Sequence, residues 1–177
     1  EIDMTRLHRR RISMPHTIAV AAAGFGTTAI AFGPARMGFG LFMPAFRSDL
    51  ALSTNGASMV ASIGFFAFLL GLPVAAWLDA RHGPRAPVAA GILAAALGFA
   101  LVAAATEAVM LTLGVALAGS SAGFCWTPFN DAVERIVPPD AQPGALSVVS
   151  TGTTLGVAAA GALAMAVSFA RLDWRAA

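Results

Sequence analysis

Charge is what this sequence has least of. Asp, Glu, Lys and Arg make up 11% of the 177 residues and apolar side chains 58%, against roughly 25% and 45–50% in soluble domains. Too little polar surface remains to keep a folded chain of this size in water, so a soluble enzyme or binding domain is excluded. Lysine is absent, and the 11 basic residues are arginines scattered along the chain, with a net charge of +2. They form no basic stripe, so nucleic acid is not an expected partner. Cysteine is nearly absent as well. Cys125 is the single one, which rules out an intrachain disulfide and leaves the redox compartment unread.

The constellations of enzyme chemistry are also missing. There is no His-Glu-x-x-His, no pair of carboxylates within an apolar segment and no Ser-His-Asp set. His8, His16 and His82 fall at or beyond the edges of the apolar segments. Gly24-Phe25-Gly26 and Gly38-Phe39-Gly40 follow no strand, so neither is a phosphate loop. The expectation is a non-enzyme with no catalytic residue, no cofactor and no metal site.

What the chain does have is long apolar runs. Residues 50–78 and 86–106 contain no Asp, Glu, Lys or Arg, and each exceeds the about 20 residues a helix needs to cross hydrocarbon. The full set of expected spans is 17–46, 54–78, 87–105, 108–128 and 144–169. None alternates in polarity as a membrane barrel strand would, and lipid offers no partner for an open backbone, so all should be helices. The first run is far longer than the roughly 7–15 apolar residues of a signal core, which makes it a span and not a leader. The fold class is therefore all-α, a polytopic membrane bundle of five spans in contact with the lipid bilayer. Residues 1–16 form a basic cytoplasmic N-terminus and 170–177 an outer loop.

Arginine placement sets the orientation. With the N-terminus inside, Arg6, Arg9, Arg10, Arg11, Arg81, Arg85 and Arg135 lie inside and Arg47, Arg171 and Arg175 outside. The positive-inside rule favours this arrangement, in a bacterial-type cytoplasmic (inner) membrane. Small residues mark the helix faces that meet. Ala57, Ala61, Gly64, Gly71 and Ala75 share one stripe, and Gly152, Gly156, Ala160 and Ala164 repeat every fourth position. Such rows let backbones approach where hydrophobicity cannot drive association; chance in an Ala-rich chain is the alternative. Pro128 should interrupt the fourth span, with an apolar face continuing through Phe129, Val133, Ile136 and Val137 to Pro138-Pro139. Asp131 and Arg135 are spaced for a surface ion pair along that extension.

Arg36 is the strong charge inside a span. It precedes Arg47 by eleven residues, about 16 Å along a helix, which is close to mid-membrane. A cation there usually faces a cavity or a partner. Gly33 and Gly40 flank it at i−3 and i+4 and suggest open space on that face, while Pro34 in a Gly-rich stretch predicts a kinked or broken helix. A guanidinium suits a carboxylate or phosphate held bidentately, so an anionic or carboxylate-bearing small solute is expected. Two other readings stay open: a structural arginine bonded to carbonyls or to an acid elsewhere, and one that snorkels to the surface. Ser120, Ser121, Trp126 and Asn130 on the fourth span are further substrate-binding candidates. Against that, membrane serines often bond their own helix and Trp favours the interface.

The order of features resembles the N-terminal half of the major facilitator superfamily of transporters. The carrying residues are Leu41-Phe42-Met43-Pro44-Ala45-Phe46-Arg47 at the first exit, and Ala75-Ala76-Trp77-Leu78-Asp79-Ala80-Arg81-His82-Gly83-Pro84-Arg85 after the second span. The latter is similar to the family's basic loop between helices two and three; Arg81, Gly83 and Arg85 fit its basic-Gly-basic part, and Asp79 stands one residue before its acidic position. The resemblance implies a secondary active transporter working by alternating access, with Asp79, Arg81, Gly83 and Arg85 as a conformational latch; a simple positive-inside anchor is the alternative. It also implies a small-molecule solute, a coupling proton or ion, and a central cavity lined by helices one and four. Two family motifs are missing: Val115 stands where the fourth helix often has arginine, and Gly156-Val157 replaces the Gly-Pro of the antiporter signature. Both absences argue against a proton-driven drug antiporter. The family has twelve helices, so the chain reads as a partial product with its C-terminal half missing and Asp173-Trp174-Arg175 leading toward a sixth helix. A non-transporting membrane scaffold or subunit is the alternative from another class.

Overall fold

The computed structural model describes the backbone of residues 4–176 and the side chains of 16–175; the side chains of the basic N-terminal arginines lie outside that range. The elements are helices α1 (Met4–Phe32), α2 (Pro34–Asp49), α3 (Thr54–His82), α4 (Arg85–Ala103), α5 (Ala108–Ile136) and α6 (Gln142–Phe169), then a short 3-10 turn at Trp174–Ala176. Among the described residues five spans are long and apolar enough to cross a membrane, α1 and α2 together forming the first from His16 to Asp49.

The first span breaks at Gly33. Pro34 has no N–H to give Ile30, and it opens α2 at the position where a fixed φ suits a new helix. The break is tight, because Gly33 N–H still donates to Ala29 O at 2.9 Å and Met37 N–H to Gly33 O at 2.8 Å. Pro128 behaves differently from expectation. α5 runs through it without interruption to Ile136, and Pro128 is fully buried. Pro also sits inside α2 (Pro44) and α3 (Pro73), as spanning helices tolerate when neighbours satisfy the freed carbonyls. At the other ends, Ser53 Oγ accepts from Gly56 N–H at 3.1 Å to cap α3. Gly83 closes α3 with φ +75, a left-handed conformation that favours glycine.

Bundle assembly rests on small residues. α3 and α5 meet where Gly64 faces Val115 and Gly119, and where Gly71 faces Gly123 and the Ser120 carbonyl. α4 lies on α5 through Gly98 against Ala118 and Gly91 against Cys125. α6 meets α1 through Gly152 against Phe25 and Thr28, and through Gly156 against Ala29 and Gly33. Both small-residue stripes therefore face a neighbouring helix; Ala57, Gly64, Gly71 and Ala75 are buried on α3, and Gly152, Gly156 and Ala160 on α6. The Thr28 hydroxyl, fully buried, lies 2.8 Å from Gly24 O on its own helix and 2.9 Å from Val149 O on α6. One proton is thus shared across the α1–α6 seam. α5 is the central helix, with half of its most apolar window buried against 22% for α3 and α6. Large side chains such as Phe66, Leu69, Leu93, Leu97 and Phe169 point outward, as lipid-facing positions should.

The α1–α6 seam gives a direct test. A Cβ at Gly156 would run into the Ala29 backbone, whereas one at Gly161 meets nothing within 4 Å. Gly156→Val should lower stability by about 1–3 kcal/mol, read as a fall of several degrees in the melting temperature of detergent-purified protein. Gly161→Ala, which fills open space with a better helix former, should leave the melting temperature unchanged or slightly raised.

Candidate functional site

Arg36 stands in the first turn of α2, just beyond the Gly33 break, and projects toward α3 and α5. It lines a cavity of about 110 Å³ together with Phe39, Gly40 and Met43 from α2, Ala61, Gly64 and Phe65 from α3, and Val115 and Gly119 from α5. No acidic residue lines it. The Arg36 Nε is buried without a hydrogen-bond partner. Its guanidinium instead faces rings: Phe68 at 4.2 Å, Phe65 at 5.2 Å and Phe32 at 5.5 Å from carbon to ring centroid.

The two glycines expected to leave space beside Arg36 do different things. Gly40 does line the cavity, with nothing within 4 Å of where a Cβ would stand. Gly33 does not, because the backbone of α6 at Gly156 fills the place its missing side chain leaves. Helical spacing alone puts both on the Arg36 face, but the break rotates Gly33 into the α6 seam.

The α5 candidates divide. Trp126 joins the Arg36 cluster through Phe32, whose ring it meets edge-on at 5.5 Å and 65°. Ser120 Oγ donates to Leu117 O at 2.7 Å and Ser121 Oγ to Ala118 O at 2.6 Å, so both hydroxyls are engaged on their own helix. Ser121 is also fully buried, on the side of α5 that faces α1 and α4. Asn130 is half-buried one turn beyond Trp126. Sequence reasoning missed Phe32, Phe65 and Phe68. The available signal was Phe65-Phe66-Ala67-Phe68, an aromatic patch in a charge-free span.

A second charged cluster lies at the end of the bundle where α3 meets α4. Asp79 is only 10% exposed and pairs with Arg135 of α5 at 3.6 Å. Asp131 of α5 stands close enough to that carboxyl for the two negative charges to oppose each other, and Asp79 Oδ1 is buried with no hydrogen-bond partner. The expected partnership of Arg135 with Asp131 along one helix is therefore replaced by a bridge between helices, with two acids around one arginine. Arg81 stacks over Trp77 at 4.6 Å, Gly83 donates its N–H to Asp79 O at 2.8 Å, and Arg85 begins α4 exposed. At the opposite end Asp49 Oδ2 accepts from Trp174 Nε1 at 2.8 Å and from Arg175 at 3.1 Å. Arg175 also donates to Ala105 O at 3.1 Å. This clasp fastens the residues after α6 to α2 and to the loop between α4 and α5.

Comparison with known proteins gives two results. The family model described as Major Facilitator Superfamily matches residues 14–177. Two curated relatives, both called monocarboxylate transporter 13, from Rattus norvegicus and Bos taurus, are each 34% identical over 110 residues. That stretch is 62% of this chain and 26% of each relative, so the chain matches about a quarter of their length.

The Asp79 cluster yields a prediction in which two carboxylates share one cation. Arg135→Ala should lower the melting temperature by about 2–4 °C, the effect of roughly 1 kcal/mol in a domain of this size. Adding Asp131→Asn should recover part of that loss, since it removes the like charge beside Asp79. Equal melting temperatures for the single and double variants would rule out coupling through Asp79.

Proposed function

This chain belongs to the Major Facilitator Superfamily, and from that premise we propose that it forms the N-terminal part of a transporter for a small monocarboxylate. One observation carries the substrate class. Arg36 is a cation inside the bundle with a buried, unpartnered Nε and no acid around its cavity. A charge kept in a low-dielectric interior without a counter-ion is costly, so an arriving anion is attracted strongly. A guanidinium offers a planar fork of N–H donors that a carboxylate can accept two at a time. The remaining lining is apolar and holds no second cation, which favours one negative charge on a short apolar body over a dicarboxylate. The name of the mammalian relatives, monocarboxylate transporter 13, points the same way.

Substrate would sit against Arg36, with Trp126 as a wall reached through Phe32, between this half and a C-terminal half. Alternating access would then move the two halves around it, with a coupling proton or ion carried at a site that the second half supplies, since no acid lines this cavity. Asp79 fits the role of latch: it pairs with Arg135 of α5 at the end of α3, and its backbone carbonyl accepts from Gly83 in the basic loop that carries Arg81 and Arg85. The arginine distribution supports an N-terminus on the cytoplasmic side.

The test is uptake of radiolabelled L-lactate into proteoliposomes carrying the full-length transporter. Arg36→Ala should abolish saturable uptake. Arg36→Lys should keep the charge but lose the fork, raising KM by on the order of tenfold or more. Normal KM in both variants would remove Arg36 from the binding site, and a full-length protein that moves no monocarboxylate would favour a scaffold role.

A further inference from the structure

Arg36 has no carboxylate partner among the described residues, yet its Nε is buried and three phenyl rings stand around its guanidinium. Phe32 comes from the last turn of α1, and Phe65 and Phe68 from one face of α3, three residues apart. All three ring centroids lie within 5.5 Å of the guanidinium carbon, inside the about 6 Å range over which a ring face attracts a cation. The rings also brace one another. Phe32 meets Phe68 edge-on at 6.5 Å and 72°, and Trp126 at 5.5 Å and 65°. The orientation of Phe32 and Phe68 is thus held from α1, α3 and α5 and does not depend on Arg36 alone.

The geometry answers a physical problem. An unpaired guanidinium in an apolar cavity needs some stabilisation, but a protein carboxylate beside it would compete with an anionic solute for the same donors. Ring faces avoid the competition. They attract the positive charge without accepting the in-plane hydrogen bonds that a bidentate carboxylate uses.

We propose that Phe68, with Phe65 and Phe32, is a positioning residue for Arg36: the rings hold the guanidinium at the cavity and leave its N–H fork to the solute. The proposal rests on the reading of Arg36 as the anion ligand, and Phe68 acts only through it.

The decisive series replaces Phe68 by 4-fluoro- and 3,4,5-trifluorophenylalanine in the full-length transporter, because fluorine drains the ring face of electron density with little change of shape. Phe68→Leu and Phe68→Trp complete the set. Two readouts are used: KM and kcat for L-lactate uptake, and the rate at which phenylglyoxal, an arginine-specific reagent, modifies Arg36 in solute-free protein, followed by mass spectrometry. KM should climb stepwise with fluorine number and rise on the order of tenfold in Phe68→Leu, with kcat little changed and Phe68→Trp close to wild type. Modification of Arg36 should quicken in the same order.

A fluorine series flat in both readouts overturns the cage. Should Phe68→Leu fail to fold, the fluorinated proteins, which keep the ring's volume, decide alone. If the wild type takes up no lactate, the modification series decides: graded rates support the cage and flat rates reject it. Loss of uptake in Arg36→Ala with a flat series removes the cage but keeps the ligand, whereas normal uptake in Arg36→Ala removes the ligand and the positioning role with it.

Discussion

At Gly156 the backbone of α6 lies directly against Ala29 and Gly33 of the first span, with no side chain between. Within hydrocarbon no hydrophobic force draws helices together, so association relies on close packing and on the bonds that closeness permits. The Thr28 hydroxyl shared between Gly24 O and Val149 O exists because the backbones approach this nearly. The same contact lies at the break that Pro34 sets in the first span, and holds the way the chain turns there. Arg36 follows the break by three residues, so its direction toward α3 and α5 depends on a seam with a different helix. Close approach of α3 to α5 at Gly64–Gly119 and Gly71–Gly123 then sets the other wall of the cavity.

Against this packing, the charges fall into two kinds. At the two ends of the bundle, arginines meet acids: Arg135 with Asp79, and Arg175 with Asp49 and Asp173. In the interior, Arg36 meets rings and a cavity. At both ends the arginines reach water, Arg135 more than Arg175, so their ion pairs form at modest cost even where, as with Asp79, the acid is nearly buried. An interior ion pair would have to offset the desolvation of both partners. Leaving the interior cation to aromatic faces keeps its charge available, as the proposed role of Arg36 in binding an anion requires.

The sequence made some parts of the site legible and not others. Arg36 stood out because a charge within a long apolar run has few structural excuses. Trp126 was singled out too, and its ring meets the Arg36 cluster only through Phe32, a residue without any distinguishing local signal. Ser120 and Ser121 carry the right chemistry for a polar contact, yet their protons go to Leu117 O and Ala118 O. A helix interior always offers such carbonyls, and only coordinates show whether a better partner lies across the gap. Gly33 illustrates the opposite failure. Its spacing from Arg36 suggested a vacancy, but α6 occupies it.

The sequence by itself determined the membrane setting, the five spans, the break before Pro34 and the stripes on which helices meet, and it carries the likeness to the superfamily. These are properties of local composition and helical period, which a chain displays without reference to its neighbours. Only the tertiary structure decided that Arg135 bridges to Asp79 instead of pairing along α5, that Pro128 is absorbed within a continuous helix, and that three phenyl rings stand around Arg36. Partner choice depends on the rotation and offset of one helix against another. Those are set by backbone contacts many residues away, at glycines whose importance their own positions along the chain only partly reveal.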